Sequence, residues 1–131
     1  MGFLKSFLGG SKEAEAEWEY ITQPEELEYV FQTSNERPQL ILKHSRSCGV
    51  SFFAKKNIDS MPLEDVEQLD RYMVDVLHSR DISQMIAENL KIRHESPQAF
   101  MVRNGEVIWH ASHGEVNKVN VLRAYLKAME M

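Results

Sequence analysis

The chain has 131 residues, 43% apolar and 27% charged, with a formal net charge of −5. That length suits one hydrophobic core; the acidic balance, with no Lys/Arg block, argues against nucleic-acid binding, and no apolar run approaches the roughly 20 residues that span a bilayer. A single cysteine cannot build a disulfide framework, and without a secretory signal a reducing, cytoplasmic setting is expected.

In chain order, Met1–Leu8 formally matches the Met-Gly-x-x-x-Ser acylation pattern and runs into a polar stretch, Ser11–Glu17. Residues 1–17 are expected as a flexible leader or small amphipathic docking tip, with one domain over 18–131. Trp18–Ile21 alternates like a short strand. Thr22-Gln-Pro-Glu25 has the form of a capped helix start with proline in the first turn, and Leu27, Val30 and Phe31 continue at helical spacing. Asn35-Glu-Arg-Pro38 breaks that helix. Leu40–Leu42 is a continuous apolar run of the kind buried in mid-sheet.

After Cys48, the apolar residues Val50, Phe53, Ala54, Ile58 and Met61 follow the helical period until Met61-Pro62 ends it. Arg71–Leu77 predicts another strand, and Ile82, Met85, Ile86 and Leu90 the inner stripe of a second crossover helix. Two crossovers imply parallel pairing. Ala99–Val102 and Val107–Trp109 flank Asn104-Gly105, a hairpin signal because both central positions of a type I′ turn need positive φ. Val121, Leu122, Tyr125, Leu126 and Met129 then share one face of a closing helix that Asn117 can cap. The order βαβαββα predicts an α/β fold, a mixed central sheet with helices on both faces.

Cys48 therefore falls where a strand gives way to a helix. Unpaired N–H groups and partial positive charge at a helix start favour thiolate over thiol, so this sulfur is a candidate catalytic nucleophile. Gly49, Val50 and Ser51 would supply the amides, and the Ser51 hydroxyl a further donor. Ser51 also occupies the place of the second cysteine in a Cys-x-x-Cys pair, so any redox cycle must pass through a mixed disulfide with a partner or a small thiol. Read from its residues alone, Cys48 could equally be a buried, inert thiol. A proline at 97, at the start of the hairpin strand, is either an ordinary trans edge residue or a cis turn. His44 reads as a strand-end residue satisfying a hydrogen bond, and His113 as a ligand contact or a loop cap. Phe52, Phe53, Met85, Met101 and Trp109 read as core or pocket wall.

The ordered set Lys43-His-Ser, Cys48-Gly-Val-Ser51, Val74-Asp-Val76, His94-Glu-Ser-Pro-Gln98 and Trp109-His-Ala-Ser-His113 resembles the monothiol bacilliredoxins (YtxJ-type), thioredoxin-like proteins of bacillithiol-using bacteria. The resemblance runs from about Trp18 to the C-terminus, and His-Glu-Ser-Pro-Gln and Ser-His are its more specific parts. It implies a thioredoxin-like fold and a cis Ser96–Pro97 bond opposite Cys48. It further implies a thiol-disulfide oxidoreductase that takes bacillithiol, as co-substrate, from S-bacillithiolated cytoplasmic client proteins. A second low-molecular-weight thiol would recycle Cys48, and no tightly bound cofactor or metal is implied. Ser96, Pro97, Ser112 and His113 would form the rim that holds the thiol ligand. Gly49 departs from the pattern, which more usually has proline after the cysteine.

Two other readings use the same residues. Cys-Gly-Val-Ser is similar to the Cys-Gly-Phe-Ser of monothiol glutaredoxins, which hold an iron–sulfur cluster with glutathione; here, however, Ala111-Ser-His113 stands where those proteins place Gly-Gly. A non-catalytic thioredoxin-like adaptor would instead leave Cys48 unperturbed. Four metal ligands from His44, Cys48, His110 and His113 follow no recurrent zinc spacing.

Overall fold

Leu40–Leu42 forms the middle of a strand that is buried along its whole length, and the rest of the molecule is arranged around it. The computed structural model describes residues 17–131, so the leader lies outside the described residues except for Glu17. The strands are β1 (Glu19–Tyr20), β2 (Gln39–His44), β3 (Asp70–Asp75), β4 (Gln98–Arg103) and β5 (Glu106–Ser112); the helices are α1 (Pro24–Thr33), α2 (Gly49–Asp59), α3 (Arg80–Leu90) and α4 (Lys118–Met129). The predicted order βαβαββα is met from β2 to α4, with β1 and α1 as a further βα unit before it. One sheet runs in the order β1-β3-β2-β4-β5. β3 pairs parallel with β1 and β2, whereas β4 pairs antiparallel with β2 and β5.

Alternation along the strands builds two cores. Leu40, Leu42, Met73, Ala99 and Met101 face Ala54 and Ile58 of α2 and Val121, Tyr125 and Ala128 of α4. Ile41, Tyr72, Val74, Phe100 and Val102 face Leu27 and Val30 of α1 and Ile82 and Ile86 of α3. Among the described residues no helix is long and apolar enough to cross a membrane.

The ends of the elements follow their local chemistry. Pro24 opens α1, and the Glu26 carboxylate accepts from the Thr22 and Gln23 amides at 2.8 and 3.2 Å. Asn117 caps α4 by accepting from the Asn120 amide at 2.9 Å. Asn104 and Gly105 turn the β4–β5 hairpin with φ of 56° and 78°, both in the left-handed region the sequence requires there.

Three assignments of faces and bounds need correction. Val50 and Phe53 are not on the inner stripe of α2, nor are Phe52 and Phe53 core: the three are 52, 55 and 66% exposed. The buried positions are Ser51, Ala54 and Ile58, an i, i+3, i+7 face of the helix. In α4, Leu126 and Met129 face outward, and the inner face is the i, i+3, i+4, i+7 stripe Val121, Ala124, Tyr125 and Ala128. Finally, β3 stops at Asp75 rather than Leu77, since the Asp75 carboxylate accepts from the Leu77 and His78 amides at 3.0 and 3.2 Å and turns the chain.

Candidate functional site

Register brings three connections to one end of the sheet. Lys43 of β2 pairs with Gln98 of β4, and Gln98 with Ser112 of β5. The loop Ser45–Cys48 therefore leaves β2, the Ser96–Pro97 segment enters β4 and His113 leaves β5 at the same rim. The Ser96–Pro97 peptide is cis.

Cys48 is the N-cap of α2 and is partly exposed. Its backbone closes the loop, the amide donating to the Ser45 carbonyl at 3.2 Å while the Cys48 carbonyl accepts from Phe52 at 3.1 Å. The sulfur is held below the ordinary thiol range first by the Ser51 amide, then by the Val50 amide, with the Ser51 hydroxyl adding to them against a small cost of burial. Ser51 is fully buried, and its Oγ accepts from the Ser45 amide at 3.3 Å, leaving its own proton for the sulfur. Gly49 is exposed, and a Cβ added there would meet nothing within 4 Å. The arrangement favours the thiolate form of a partly exposed sulfur.

The cis segment is tied from two sides. His113, with φ of 55°, donates its amide to the Pro97 carbonyl at 2.9 Å, and its Nε2 lies 2.6 Å from the Glu95 carboxylate. Gln98 bridges the segment internally: its Oε1 accepts from the Glu95 amide at 3.2 Å and its Nε2 donates to the Arg93 carbonyl at 2.9 Å. Ser112 ends β5 beside Gln98, while Ser96 Oγ is buried without a protein hydrogen-bond partner. Cys48, Val50, Ser51, Ser96, Pro97, Ser112 and His113 thus share the rim, and Gly49 lies at its edge.

His44 ends the strand as expected, with the Ser51 backbone as a hydrogen-bond partner. Its carbonyl accepts from the Val76 amide at 3.1 Å, its buried Nδ1 has no protein partner, and burial followed by the Lys55 charge holds the ring below its usual pKa against the Asp75 charge and the Ser51 backbone bond. Among the described residues no three His, Cys, Asp or Glu side chains group to hold a metal ion.

Two further pairs were not singled out from sequence. Arg46, in the Cys48 loop, pairs with Asp75 at 3.3 Å. Burial pushes the Asp75 carboxyl up, but the His78 side chain and the Leu77 and His78 amides outweigh it and keep the group ionised. Lys43 is fully buried, and its Nζ lies 3.1 Å from the Ser83 carbonyl and 3.0 Å from His94 Nδ1. Lys43 and His94 both lie in the motif set that carries the family resemblance, but nothing in the sequence paired them with each other.

A family model described as monothiol bacilliredoxin BrxC matches residues 19–121. A solved structure described as a candidate oxidoreductase with a thioredoxin fold is 32% identical, aligned over 80% of this chain and 90% of that one, with a TM-score of 0.69. The thioredoxin of Nicotiana alata (TM-score 0.68, 15% identity, 91% of this chain and 98% of that one) shares the fold. So does the thioredoxin of Malassezia sympodialis (0.67, 17%, 86% and 91%).

Proposed function

Because the chain belongs to the monothiol bacilliredoxin family and carries the thioredoxin fold, we propose that this monothiol redox protein removes bacillithiol from S-bacillithiolated client proteins through Cys48. The observation that carries the reading is the stabilised, partly exposed thiolate at the start of α2, at the same sheet end as the cis Ser96–Pro97 edge.

In the first step the Cys48 thiolate attacks the bacillithiol sulfur of the client's mixed disulfide. The new Sγ–S bond forms as the client's S–S bond breaks, and the client cysteine leaves as a thiolate that takes a proton from water. In the second step the thiolate of a free low-molecular-weight thiol, bacillithiol being the simplest, attacks the sulfur bound to Cys48. That restores the Cys48 thiolate and releases a small disulfide: the one incoming thiol is oxidised, the client sulfur is reduced to its thiol, and the transferred bacillithiol sulfur stays at the disulfide level throughout. In-line approach needs an open path to Sγ and a groove edge along which the ligand lies; the Ser96–Pro97 backbone with Ser112 and His113 supplies that edge. Residues 18–131 form the working unit of this reading, and a reducing cytoplasm is its natural setting.

The test is intact-mass analysis of the reduced protein mixed with a bacillithiolated client. A one-to-one bacillithiol adduct on the wild type, released by added thiol and absent from Cys48→Ser, is the expected result. Transfer that persists in Cys48→Ser, or equal adduct formation with oxidised glutathione alone, would sink it. The glutaredoxin-like reading would instead require an iron–sulfur chromophore after anaerobic reconstitution with glutathione.

A further inference from the structure

A lysine with no carboxylate hydrogen-bonded to it is an expensive thing to bury at the centre of a sheet. Lys43 lies on the α1/α3 face of β2, its side chain fully enclosed, with Nζ 5.7 Å from the centre of the Phe100 ring. An ammonium only donates. While Lys43 is charged, the Ser83 carbonyl of α3 and Nδ1 of His94 therefore both accept from it, which places the His94 ring proton on Nε2.

The position of these partners defines a strut. Ser83 lies in the first turns of α3, whereas His94 lies beyond the helix end, after the left-handed Lys91 and just ahead of Ser96–Pro97. One ammonium thus spans from strand to helix to the segment that becomes the cis edge. On the other side the same segment is held by the Glu95–His113 pair. The charged and titratable groups around the contact are Lys43 from β2, His94 and Glu95 in the segment, and His113 after β5; α3 offers a carbonyl and β4 the Phe100 ring.

The geometry points to Lys43 as the positioning residue for the thiol-ligand edge, its Nζ holding the His94–Pro97 segment in place through a neutral His94, and to protonation of His94 as the event that releases it. This deepens the reading above and rests on it only where ligand handling is concerned. A protonated His94 has no lone pair at Nδ1 for Nζ and sets two positive charges side by side. Burial and the Lys43 charge both hold His94 towards its neutral form, against Glu95.

Amide hydrogen exchange on the full chain, compared among wild type, Lys43→Met, His94→Ala and the double variant, reads the strut directly. Each single change should speed exchange over residues 92–98 about tenfold, and the double variant no further, because both remove one contact. Additive effects, or unchanged exchange, overturn the proposal. After correction for intrinsic rates, acid should loosen the segment in wild type but not in His94→Gln, whose amide oxygen accepts from Nζ at every pH; equal acid sensitivity also overturns it. His94 is exposed, so its variants decide the matter if Lys43→Met does not fold.

Two reactions of Cys48 supply the functional arm. Alkylation by iodoacetamide, which needs only the thiolate, should keep its rate and pH midpoint in His94→Ala, while reaction with a bacillithiol mixed disulfide slows about tenfold. Equal slowing of both would mean a general structural defect and counts against the strut. A wild type inert to the bacillithiol disulfide, with the exchange pattern intact, would remove the proposed function and leave the strut standing.

Discussion

Ser51 illustrates how one atom carries two duties at this site. Its hydroxyl accepts from the Ser45 amide and turns its proton to the Cys48 sulfur, so Ser51→Ala strips the thiolate of one donor and leaves a buried N–H unpaired. The thiol midpoint should rise yet stay below the free-thiol range, because the Ser51 and Val50 amides remain, and stability should fall by about 1–2 kcal/mol. Thiolate absorbance against pH and urea unfolding measure the two; an unmoved midpoint would show that the hydroxyl does not serve the sulfur. The sign of the wild-type linkage follows from the lowered thiol. The thiolate's contribution to stability is complete above the unfolded-state pKa and is lost as pH falls through the folded one, a slope Cys48→Ser should lack. His113→Ala keeps the backbone bond to Pro97 but loses the Glu95 contact. It should slow transfer from a bacillithiol disulfide more than from hydroxyethyl disulfide, and equal slowing would assign the side chain to loop support alone.

At the scale of elements, the start of α2 carries Gly49 where the resemblance leads one to expect proline, and the cost of glycine there can be measured. Cys48 has φ −113° and ψ 120°, the extended conformation a residue preceding proline adopts, and the space beside Gly49 is open. As the first helical residue, Gly49 also has no helical acceptor for its N–H to lose. Gly49→Pro should therefore stabilise the fold by roughly 0.4–1 kcal/mol, chiefly by restricting the unfolded chain. The thiol midpoint should hold, since its amide donors belong to Ser51 and Val50. A lower urea midpoint would mean that α2 needs glycine here for a reason its geometry does not display. Periodicity located each of the four helices, because residues such as Ile82 and Ile86 or Val121 and Tyr125 recur at the right spacing, and it placed Ala54, Ile58 and Met61 inward; it misplaced Val50 and Phe53 in α2 and Leu126 and Met129 in α4. Apolar bulk alone does not mark the buried face: Ser51, Ala54, Ala124 and Ala128 occupy inner positions at helical spacing, while Phe53 and Leu126 lie off those stripes and point outward.

The whole molecule explains why the rim was more legible than what supports it. Cys48, Pro97 and His113 belong to short motifs whose chemistry is local. Lys43 and His94 are 51 positions apart, and Arg46 meets Asp75 only because β2 and β3 pair in parallel, so neither contact exists until the sheet's register is known. The central strand nonetheless imposes a global consequence. Burial lowers the Lys43 pKa from 10.5 to about 8, so between those values the unfolded chain binds a proton the folded one has released. Unfolded-state protonation in excess means that stability rises with pH across this window. Below about 8 both states carry the charge, and the penalty for burying it is present in full. Urea unfolding of wild type and Lys43→Met at successive pH values should show the difference between them move in favour of wild type from pH 8 towards 10.5, by at most roughly 3 kcal/mol. The Tyr72 hydroxyl, held above its usual pKa first by burial, lowers stability in strong alkali in both proteins and cancels in that difference. A difference that stays flat across the window would mean that Lys43 keeps its proton inside the folded sheet, with the Ser83 carbonyl and Phe100 ring outweighing its desolvation.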